Sequence, residues 1–351
     1  MTKVDDVFVK LGRDSYLSKI DMTKGYWQIP ITEEDRKYTA FITHDGLYQF
    51  TRMPFGLVNS GATFNKLMRK LLCSLNAVDH YVDYVLVNSK SWNHHINVLR
   101  ETFRRIRAAN LTVIPSKSLF GFPSLEYVGQ KVGNGELSPK VDKVSQIQDA
   151  PRPTTKKQVR SFLGLTGYYR AYIQSYADKA LPLTDLTKKG KPNKVQWTCR
   201  EENAFQTLKN ALCSQPVLKM PDMSKEFILQ TDASENALGA VLLQEYDGEN
   251  FPVAYASKKL LVRETRYSVI EKECLAIVWA IKKFHMYLYG HPFTLQTDHQ
   301  PLGYLNHAVY SNGRLMRWSL FLQSYEIRIQ VIKGSQNVGA DFMSRKHCNE
   351  V

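Results

Sequence analysis

The sequence predicts two or three domains of mixed α/β structure, the last of which contains a mixed β-sheet and one long helix. Three observations lead to this prediction. The chain has 351 residues, and a domain usually contains roughly 100–200 residues. Its 43% hydrophobic and 23% charged residues exclude a fibrous or wholly disordered protein. In the last third, short strand patterns surround a long helix pattern, an order that is typical of a mixed α/β sheet.

Local patterns predict each element of the last third. Ser268 and Glu271 form a capping box that predicts the start of the long helix. Residues of one face then recur at helical spacing from Ile270 through Ile281 to His285. Alternating or β-branched runs predict strands at 227–231, 240–243, 252–255, 293–297 and 325–331.

The middle of the chain contains two joints rich in proline and lysine, at 149–157 and 186–194. Such joints predict linkers or turns. Thr155 and Gln158 form a second capping box, which predicts another helix between the joints. This helix belongs to a core with a solvated face, or it presents a basic face to a phosphate backbone, and the pattern leaves both interpretations open. The basic residues that lie off its apolar stripe are Lys156, Lys157 and Arg160.

The charge of the chain is uneven. The net charge is +14, yet from Asp222 onwards 14 Lys and Arg balance 14 Asp and Glu, so the whole excess lies before that residue. A basic excess of this size predicts a polyanionic partner, either nucleic acid or an acidic membrane surface. The basic residues are spread along the chain rather than gathered on one amphipathic helix, which favours nucleic acid over a membrane.

Cysteine usage and hydropathy predict the compartment. The five cysteines are scattered without a Cys-x-x-Cys pair, which argues against a disulfide framework or a zinc site and for a reducing, intracellular compartment. Cytoplasm and nucleus are not distinguished by this argument. No apolar run approaches the roughly 20 residues that a membrane span needs, so we expect no membrane insertion.

Acidic residues near predicted strand ends are the candidate catalytic groups of the last third. Asp232 and Asp298 each follow a strand in the repeated tripeptide Gln-Thr-Asp, and Asp341 lies beyond the last predicted strand. On the long helix, Glu271 and Glu273 both lie about 80° from the centre of the apolar face, on opposite sides. The capping role of Glu271 favours Glu273 as the fourth carboxylate.

Carboxylates that converge at one sheet edge repel each other unless divalent cations neutralise them. Two hard cations about 4 Å apart, held by carboxylate oxygens, are the usual machinery of phosphodiester cleavage. The first third suggests a second site of this kind, because Asp21 ends a predicted strand and Asp83 lies at the turn of a predicted hairpin. An aspartate after a strand is more often a turn residue, and the pattern alone leaves that alternative open.

The ordered set of motifs resembles the reverse transcriptase–ribonuclease H segment of a gypsy-type LTR retrotransposon polyprotein. The resemblance covers nearly the whole chain, and the motifs stand in the order that this family has. They occupy residues 17–29 (LSKIDMTKGYWQI), 52–59 (RMPFGLVN), 81–84 (YVDY), 162–170 (FLGLTGYYR), 230–234 (QTDAS), 255–260 (YASKKL), 271–278 (EKECLAIV), 296–299 (QTDH) and 337–345 (NVGADFMSR).

The resemblance implies four successive regions. A reverse transcriptase palm with incomplete fingers is expected at 1–135, and a thumb and connection at 136–221. A ribonuclease H-like domain with a five-stranded mixed sheet and helices on its faces is expected at 222–346, followed by a tail at 347–351.

The resemblance also implies a polymerase site that lacks one metal-binding aspartate and part of its nucleotide clamp. Asp21 and Asp83 match the first two of the family's three catalytic, metal-binding aspartates, whereas Tyr84 stands where the third is expected. A neutral phenol does not replace an anionic ligand. Tyr26 and Phe55 match residues that bind the incoming nucleotide. The chain starts some twenty residues before the first aspartate, so we expect part of the nucleotide clamp to be missing and polymerase activity to be impaired. Gly61 stands where the family usually has proline.

The ribonuclease H motifs are complete by the same comparison. Asp232, Glu273, Asp298 and Asp341 match the four metal-binding carboxylates, and the match selects Glu273 over Glu271. The resemblance therefore implies two Mg²⁺ ions per active site, with Mn²⁺ as a substitute, and cleavage of RNA in RNA–DNA hybrids. The partners expected are RNA–DNA hybrid and template–primer. The residues expected to contact nucleic acid are Lys156, Lys157, Arg160, Arg314 and Arg317.

Two alternatives remain beside this hypothesis. In the first, both activities survive, with DNA synthesis at a low level. In the second, the chain is a catalytically silent nucleic-acid-binding remnant of a retroelement polymerase. For Arg314 and Arg317, an ordinary amphipathic helix explains the pattern as well as a hybrid contact does.

Overall fold

The structure, a computed structural model, describes residues 4–11, 14–214, 216–297 and 313–332, and the side chains from residue 7 onwards. The chain forms two compact units, Met1–Gly135 and Glu136–Val351, which we call the first and second units. Each unit contains its own β-sheet and its own buried cluster of hydrophobic side chains. Within the described residues, no helix combines the length and the apolar character needed to cross a bilayer.

The described part of the first unit alternates short strands and helices. Its helices are α1 (Val4–Leu11), α2 (Glu33–Arg36), α3 (Ser60–Leu72) and α4 (Trp92–Ala108). Its strands are β1 (Tyr16–Asp21), β2 (Phe41–Thr43), β3 (Gly46–Tyr48), β4 (Val78–Tyr81), β5 (Tyr84–Ser89), β6 (Leu119–Phe122), β7 (Ser124–Tyr127) and β8 (Gln130–Gly133).

The central sheet of the first unit has the strand order β4-β5-β1-β6. β4 and β5 form an antiparallel hairpin with Val82 and Asp83 at its turn, which confirms the predicted hairpin. β5 also pairs antiparallel with β1. Phe64 and Met68 of α3 and Leu99 of α4 are buried with residues of this sheet in one hydrophobic cluster, which fixes both helices against it.

In the described part of the second unit, five α-helices precede the main sheet and three lie between its strands. Its helices are α5 (Val141–Gln148), α6 (Lys156–Tyr168), α7 (Tyr176–Lys179), α8 (Leu181–Leu186), α9 (Cys199–Cys213), α10 (Val269–Lys283), α11 (His285–Leu288) and α12 (Gly313–Leu322). Its strands are β9 (Glu136–Pro139), β10 (Leu218–Lys219), β11 (Phe227–Ala233), β12 (Ala237–Tyr246), β13 (Glu249–Lys259), β14 (Phe293–Thr297) and β15 (Ile327–Val331).

The main sheet of the second unit is mixed and five-stranded, with the order β13-β12-β11-β14-β15. β11, β12 and β13 are antiparallel neighbours, whereas β14 and β15 run parallel to β11. The sheet confirms the fold predicted for the last third, and all five predicted strands are present. Helix α10 packs against β11 and β12.

Three glutamine side chains connect the parallel strands. The Nε2 amide group of Gln230 on β11 donates to Oε1 of Gln296 on β14 at 2.8 Å. Nε2 of Gln296 donates in turn to Oε1 of Gln330 on β15, also at 2.8 Å. Gln230 and Gln296 are buried. This amide ladder satisfies polar groups inside the sheet and holds the parallel strands in one register.

Helix α10 begins as predicted but ends earlier. The capping box is present, since the Ser268 side chain accepts from the Glu271 N–H and the Glu271 side chain accepts from the Ser268 N–H. The predicted continuation to His285 is wrong, because Phe284 leaves helical geometry and buries its ring. His285 is exposed at the start of α11, and Ile270 is 42% exposed rather than part of the core face.

The two joints contact each other. The N–H of Lys156 donates to the carbonyl of Asn193 at 2.9 Å, and the N–H of Val195 donates to the carbonyl of Thr154 at 3.0 Å. The predicted capping box of α6 is present between them. Backbone pairing of this kind makes the joints fixed turns of the second unit rather than free linkers.

Candidate metal-binding active sites

The second unit presents two buried carboxylates on adjacent elements. Asp232 lies near the end of β11 and pairs with Gly239 across β12, and its side chain is buried. Glu273 lies in the second turn of α10, which packs against β11 and β12, and it is also buried. A strand end and a packed helix are rigid supports, and a catalytic group needs such support to hold its geometry.

The structure separates the two glutamates that helical periodicity leaves equivalent. Glu271 completes the capping box with Ser268, and its Oε1 lies 3.3 Å from a guanidinium nitrogen of Arg314. Glu273 is 5% exposed and lies on the buried face of the helix. Glu271 therefore has a structural task at the helix start, and Glu273 is the carboxylate that α10 places inside the fold.

The neighbouring thiol is not a competing ligand. Burial, together with the negative charges of Glu273 and Glu271, raises the pKa of the Cys274 thiol to about 12. Only a thiolate binds metal or attacks as a nucleophile, so Cys274 stays inert at neutral pH. The chemistry of this site therefore depends on carboxylate oxygens.

The donor set fits a hard divalent cation. Oxygen atoms of carboxylates are the ligands that Mg²⁺ prefers, and buried acidic side chains are normally paired or coordinated to metal. Asp298 and Asp341 lie outside the described residues. No group of three or more His, Cys, Asp or Glu side chains suited to a metal ion is found among the residues that the structure describes. Asp232 and Glu273 are thus the half of the predicted carboxylate set for which a position is known.

The first unit brings Asp21, Asp83 and Tyr84 together. Asp21 pairs with Tyr84 across β1 and β5, and the N–H of Met22 donates to the carbonyl of Asp83 at 3.0 Å. Val82 has a φ of 54°, a left-handed conformation that is costly for a β-branched residue. Strained turns of this kind are concentrated at functional sites.

Burial and the neighbouring charges shift the pKa values of Asp83 and Tyr84. Burial raises the pKa of Asp83, a backbone hydrogen bond lowers it, and the nearby Asp21 raises it again. Burial also raises the pKa of Tyr84, with further increases from Asp83 and Asp21. The phenol therefore stays protonated at neutral pH, and the site offers two carboxylates and one neutral oxygen.

The two residues expected to bind a nucleotide lie side by side. The rings of Tyr26 and Phe55 are 5.5 Å apart, and Phe55 is 66% exposed. A Cβ atom at Gly61 would lie 3.3 Å from the Tyr26 hydroxyl. The glycine thus leaves room for the tyrosine side chain in its present position.

The basic residues predicted to contact nucleic acid differ in their surroundings. The ammonium group of Lys156 donates to the carbonyl of Lys188 at 3.0 Å, and the guanidinium group of Arg160 donates to the carbonyl of Thr187 at 3.2 Å. These contacts satisfy carbonyls that follow α8, a task that the sequence pattern does not reveal. Lys157 is exposed.

Arg314 and Arg317 also differ in their surroundings, since Arg314 is packed against other side chains and Arg317 is exposed. The guanidinium group of Arg314 lies 4.0 Å from the centre of the Tyr267 ring and pairs with Glu271. Arg314 therefore helps to pack α12 against the start of α10. Arg317 is exposed.

One polar contact beside Asp232 has no counterpart in the sequence-based predictions. The hydroxyl of Ser234 lies 3.2 Å from a carboxylate oxygen of Asp178, 56 residues earlier in the chain. No local pattern links these two residues, and only the packing of α7 against the sheet brings them together.

Comparison with known protein families gives two matches. Residues 3–166 match the family described as reverse transcriptase (RNA-dependent DNA polymerase). Residues 222–325 match the RNase H-like domain found in reverse transcriptase. Proteins of these families generally depend on divalent metal ions.

Curated relatives match nearly the whole chain. The retrovirus-related Pol polyprotein from transposon 297 of Drosophila melanogaster is 40% identical over 345 residues, covering 97% of this chain and 32% of that protein. The Pol polyprotein from transposon gypsy of the same organism is 35% identical, covering 99% and 35%. The Tf2-3 polyprotein of Schizosaccharomyces pombe is 31% identical, covering 97% and 26%. The chain thus spans about a third or less of each relative.

Solved structures share the fold. A foamy viral protease-reverse transcriptase in complex with ds DNA aligns with a TM-score of 0.82 and 22% identity, covering 95% of this chain and 60% of that chain. A second structure, of the foamy viral protease-reverse transcriptase in complex with RNA/DNA hybrid, aligns with a TM-score of 0.80 and 22% identity, covering 93% and 45%.

Proposed function

We propose that this chain, which belongs to the reverse transcriptase and RNase H family of gypsy-type retrotransposon Pol polyproteins, cleaves the RNA strand of RNA–DNA hybrids and is impaired in RNA-directed DNA synthesis. The observation that carries the proposal is that Asp232 on β11 and Glu273 on α10 are both buried and lie on elements that pack against each other. The polymerase site, by contrast, combines two aspartates with the neutral phenol of Tyr84.

Four carboxylates perform the proposed chemistry. Asp232 and Glu273, with Asp298 and Asp341 of the matching motifs, would hold two Mg²⁺ ions, for which Mn²⁺ would be a substitute. When bound, the cations activate a water molecule and stabilise the leaving oxygen of the phosphodiester. The end of β11 fixes the position of Asp232 and the packed helix α10 fixes that of Glu273. The charge of bound cations would keep the carboxylates ionised. The expected products carry 3′-hydroxyl and 5′-phosphate ends.

Basic residues of the second unit hold the hybrid in this proposal. The paired joints form a surface on which Lys157, Arg160 and a run of four lysines are all exposed. Contacts from such residues to phosphates release counterions, so we expect binding to weaken steeply with salt. The lysines of the run are Lys188, Lys189, Lys191 and Lys194.

The solved foamy viral enzyme in complex with RNA/DNA hybrid supports this substrate class. A hybrid duplex is recognised through its shape and the 2′-hydroxyl groups of its RNA strand rather than through base sequence. We therefore expect cleavage with little dependence on sequence.

The proposal is tested by incubating the full chain with end-labelled RNA–DNA hybrid and Mg²⁺. We expect cleavage that EDTA abolishes and that Asp232→Asn and Glu273→Gln reduce by at least about 100-fold, because each removes a metal ligand. Glu271→Gln is the matched control, since glutamine also completes a capping box. No cleavage by the wild-type chain, or equal cleavage in Asp232→Asn, contradicts the proposal.

A second candidate function is residual DNA synthesis. The closeness of Asp21 and Asp83, whose segments are joined by the hydrogen bond from the Met22 N–H to the Asp83 carbonyl at 3.0 Å, favours it. Primer extension on an RNA template measures this activity directly. A third candidate, a silent nucleic-acid-binding remnant, is supported instead if hybrid binds and Mg²⁺ produces no cleavage.

The reducing, intracellular compartment expected from the cysteines remains part of the proposal. Among the described residues, Cys73, Cys199, Cys213 and Cys274 form no disulfide. Free thiols are typical of cytosolic and nuclear proteins.

A further inference from the structure

Helix α7 connects the segment before Asp222 to the main sheet of the second unit. It packs against β12 and β13. The N–H of Ala177 donates to the hydroxyl of Ser257 on β13 at 2.9 Å. Nearby, the ammonium group of Lys259 on β13 lies 3.0 Å from a carboxylate oxygen of Asp185. The sheet is therefore held at this end by polar contacts from a region that the family comparison places outside the RNase H-like match.

A further contact, made by Asp178 of α7, reaches the turn that follows Asp232. The hydroxyl of Ser234 lies 3.3 and 3.2 Å from the two carboxylate oxygens of Asp178. The same hydroxyl accepts from the N–H of Ala237 at 2.9 Å and lies 3.1 Å from the Ala237 carbonyl. A hydroxyl has one proton to donate, and an ionised carboxylate is a stronger acceptor than a backbone carbonyl. The Ser234 hydroxyl therefore donates its hydrogen bond to the Asp178 carboxylate.

The turn is short, so a change in the position of Ser234 affects the position of Asp232. The N–H of Ser234 donates to the carbonyl of Ala237 at 2.8 Å, which closes the β11–β12 turn. Only Ala233 separates Ser234 from Asp232, and Ala233 is itself paired with Leu238. A displacement of Ser234 therefore moves the end of β11 that carries Asp232.

We propose that Asp178 is a positioning residue for the metal-binding carboxylate of Asp232 and acts through the hydroxyl of Ser234. This inference rests on the proposed function of Asp232 as a metal ligand. Partners that orient the ligands of a metal site change metal affinity or activity by about 10–100-fold when they are removed. The region before Asp222 thereby contributes to cleavage at the site as well as to holding nucleic acid.

The test uses the full chain with Asp21→Asn and Asp83→Asn as a fixed background, so that metal binding by the first unit does not contribute. Mn²⁺ binding is measured by calorimetry, and hybrid cleavage is measured as separate kcat and KM values. We expect Asp178→Ala and Ser234→Ala each to weaken Mn²⁺ binding and to lower kcat by about 10-fold. The KM for hybrid should stay within about twofold, because neither side chain is placed on the nucleic-acid surface.

Two further comparisons separate positioning from general stability. Asp178→Asn keeps an acceptor for the Ser234 hydroxyl and should recover most of the loss, as should Ser234→Thr. The double variant Asp178→Ala/Ser234→Ala should be no worse than either single variant, because the two side chains act as one unit. Asp185→Asn removes a carboxylate from the same region and should leave metal affinity and kcat unchanged.

The outcomes distinguish this inference from the proposed function. If the Asp21→Asn/Asp83→Asn background binds Mn²⁺ without cleaving hybrid, the proposed function is wrong, and Mn²⁺ affinity alone decides the role of Asp178. If the background cleaves hybrid while Asp178→Ala and Ser234→Ala keep its Mn²⁺ affinity and kcat, the positioning role is wrong. An equal loss in Asp185→Asn, or a fall in melting temperature alone, also overturns the positioning role. Absence of Mn²⁺ binding in the background overturns it as well.

Discussion

Asp21 lies directly opposite Tyr84 in the antiparallel pair of β1 and β5. Residues opposite each other in such a pair project from the same face of the sheet, with Cβ atoms about 5 Å apart. The position that the family resemblance assigns to a third aspartate is therefore within reach of the first. Tyr84 also packs edge-to-face against Tyr127, with ring centres 6.3 Å apart.

Tyr84→Asp is expected to raise primer extension on an RNA template by at least about 10-fold, because it adds an anionic ligand to a two-metal site. Without metal, three carboxylates repel one another, so its melting temperature in EDTA should be lower than that of Tyr84→Asn and should recover with Mg²⁺. Tyr84→Asn is the matched control, since it loses the same ring and adds no charge. Equal extension by the two variants contradicts the view that residue 84 limits the polymerase.

Substitutions of the two glutamates of α10 are expected to affect different properties: stability for Glu271 and hybrid cleavage for Glu273. Glu271→Ala removes the acceptor of the Ser268 N–H, at 3.0 Å, and the partner of Arg314. It should lower the free energy of unfolding by about 1 kcal/mol and leave hybrid cleavage within about twofold of wild type. Urea denaturation and the cleavage assay measure the two quantities. Loss of cleavage in Glu271→Ala at a temperature where the variant is folded would reverse the assignment between Glu271 and Glu273.

The first unit should lose stability in mild acid through His95. This side chain is fully buried, and its ring nitrogens lie 2.7 Å from the Ser18 hydroxyl and 2.8 Å from the Ser89 hydroxyl. Burial lowers the pKa of His95, His94 lowers it further and Asp14 raises it. The unfolded chain therefore takes up the proton first as pH falls below the ordinary value of 6.5, and stability that is present above this pH is lost towards the folded pKa.

We expect the free energy of unfolding of wild type to fall between pH 7.5 and pH 5.5 by more than that of His95→Gln. Urea denaturation at the two pH values measures the difference. His80 has a lowered pKa for the same main reason, burial, so the comparison between variant and wild type isolates His95. An equal fall in both proteins would mean that His95 does not contribute to the acid sensitivity.

The glutamine ladder is expected to stabilise the parallel half of the main sheet. Gln296→Leu leaves the buried amide of Gln230 without its acceptor and should cost about 1–3 kcal/mol. Gln330→Leu should cost less, because Gln330 is exposed and water replaces the lost contact. Denaturation curves of the two variants test this order. A larger loss in Gln330→Leu would contradict the buried ladder as the stabilising element.

The parts of the fold that the sequence predicts are those with local causes. The capping boxes at Thr155 and Ser268 mark real helix starts because a cap depends on residues three positions apart. The choice of Glu273 is different, since periodicity leaves it equivalent to Glu271. Only a known capping role, or the packed helix itself, breaks that equivalence.

The parts that the sequence does not predict depend on distant residues. The Ser234–Asp178 contact joins residues 56 positions apart, and the carbonyls that Lys156 and Arg160 reach lie beyond the next helices. A basic residue that lies off an apolar stripe is predicted to be solvated or to bind phosphate. Helical periodicity does not predict a contact with a backbone carbonyl of the other joint. Tertiary packing decides these assignments.

The uneven charge of the chain leads to a last prediction. Residues 222–351 carry 14 basic and 14 acidic side chains, whereas residues 136–221 carry 15 Lys and Arg against 7 Asp and Glu. A fragment from residue 222 onwards should therefore bind hybrid more weakly than the full chain. Its affinity should also depend less on salt, because the slope of log K against log salt follows the number of phosphate contacts.

Contacts between residues 136–221 and the main sheet determine which fragment is the matched control. A fragment that starts at residue 222 also loses Ala177, Asp178 and Asp185, which contact the main sheet. It should therefore melt at a lower temperature, and weak binding by it alone could reflect unfolding. A fragment of residues 136–351 keeps these contacts and a net basic excess of 8 charges, from 15 basic against 7 acidic residues before a neutral remainder. Fluorescence anisotropy with labelled hybrid at two salt concentrations should place its affinity and salt slope above those of 222–351. Equal slopes in the two folded fragments would mean that the basic residues of 136–221 do not contact the phosphates.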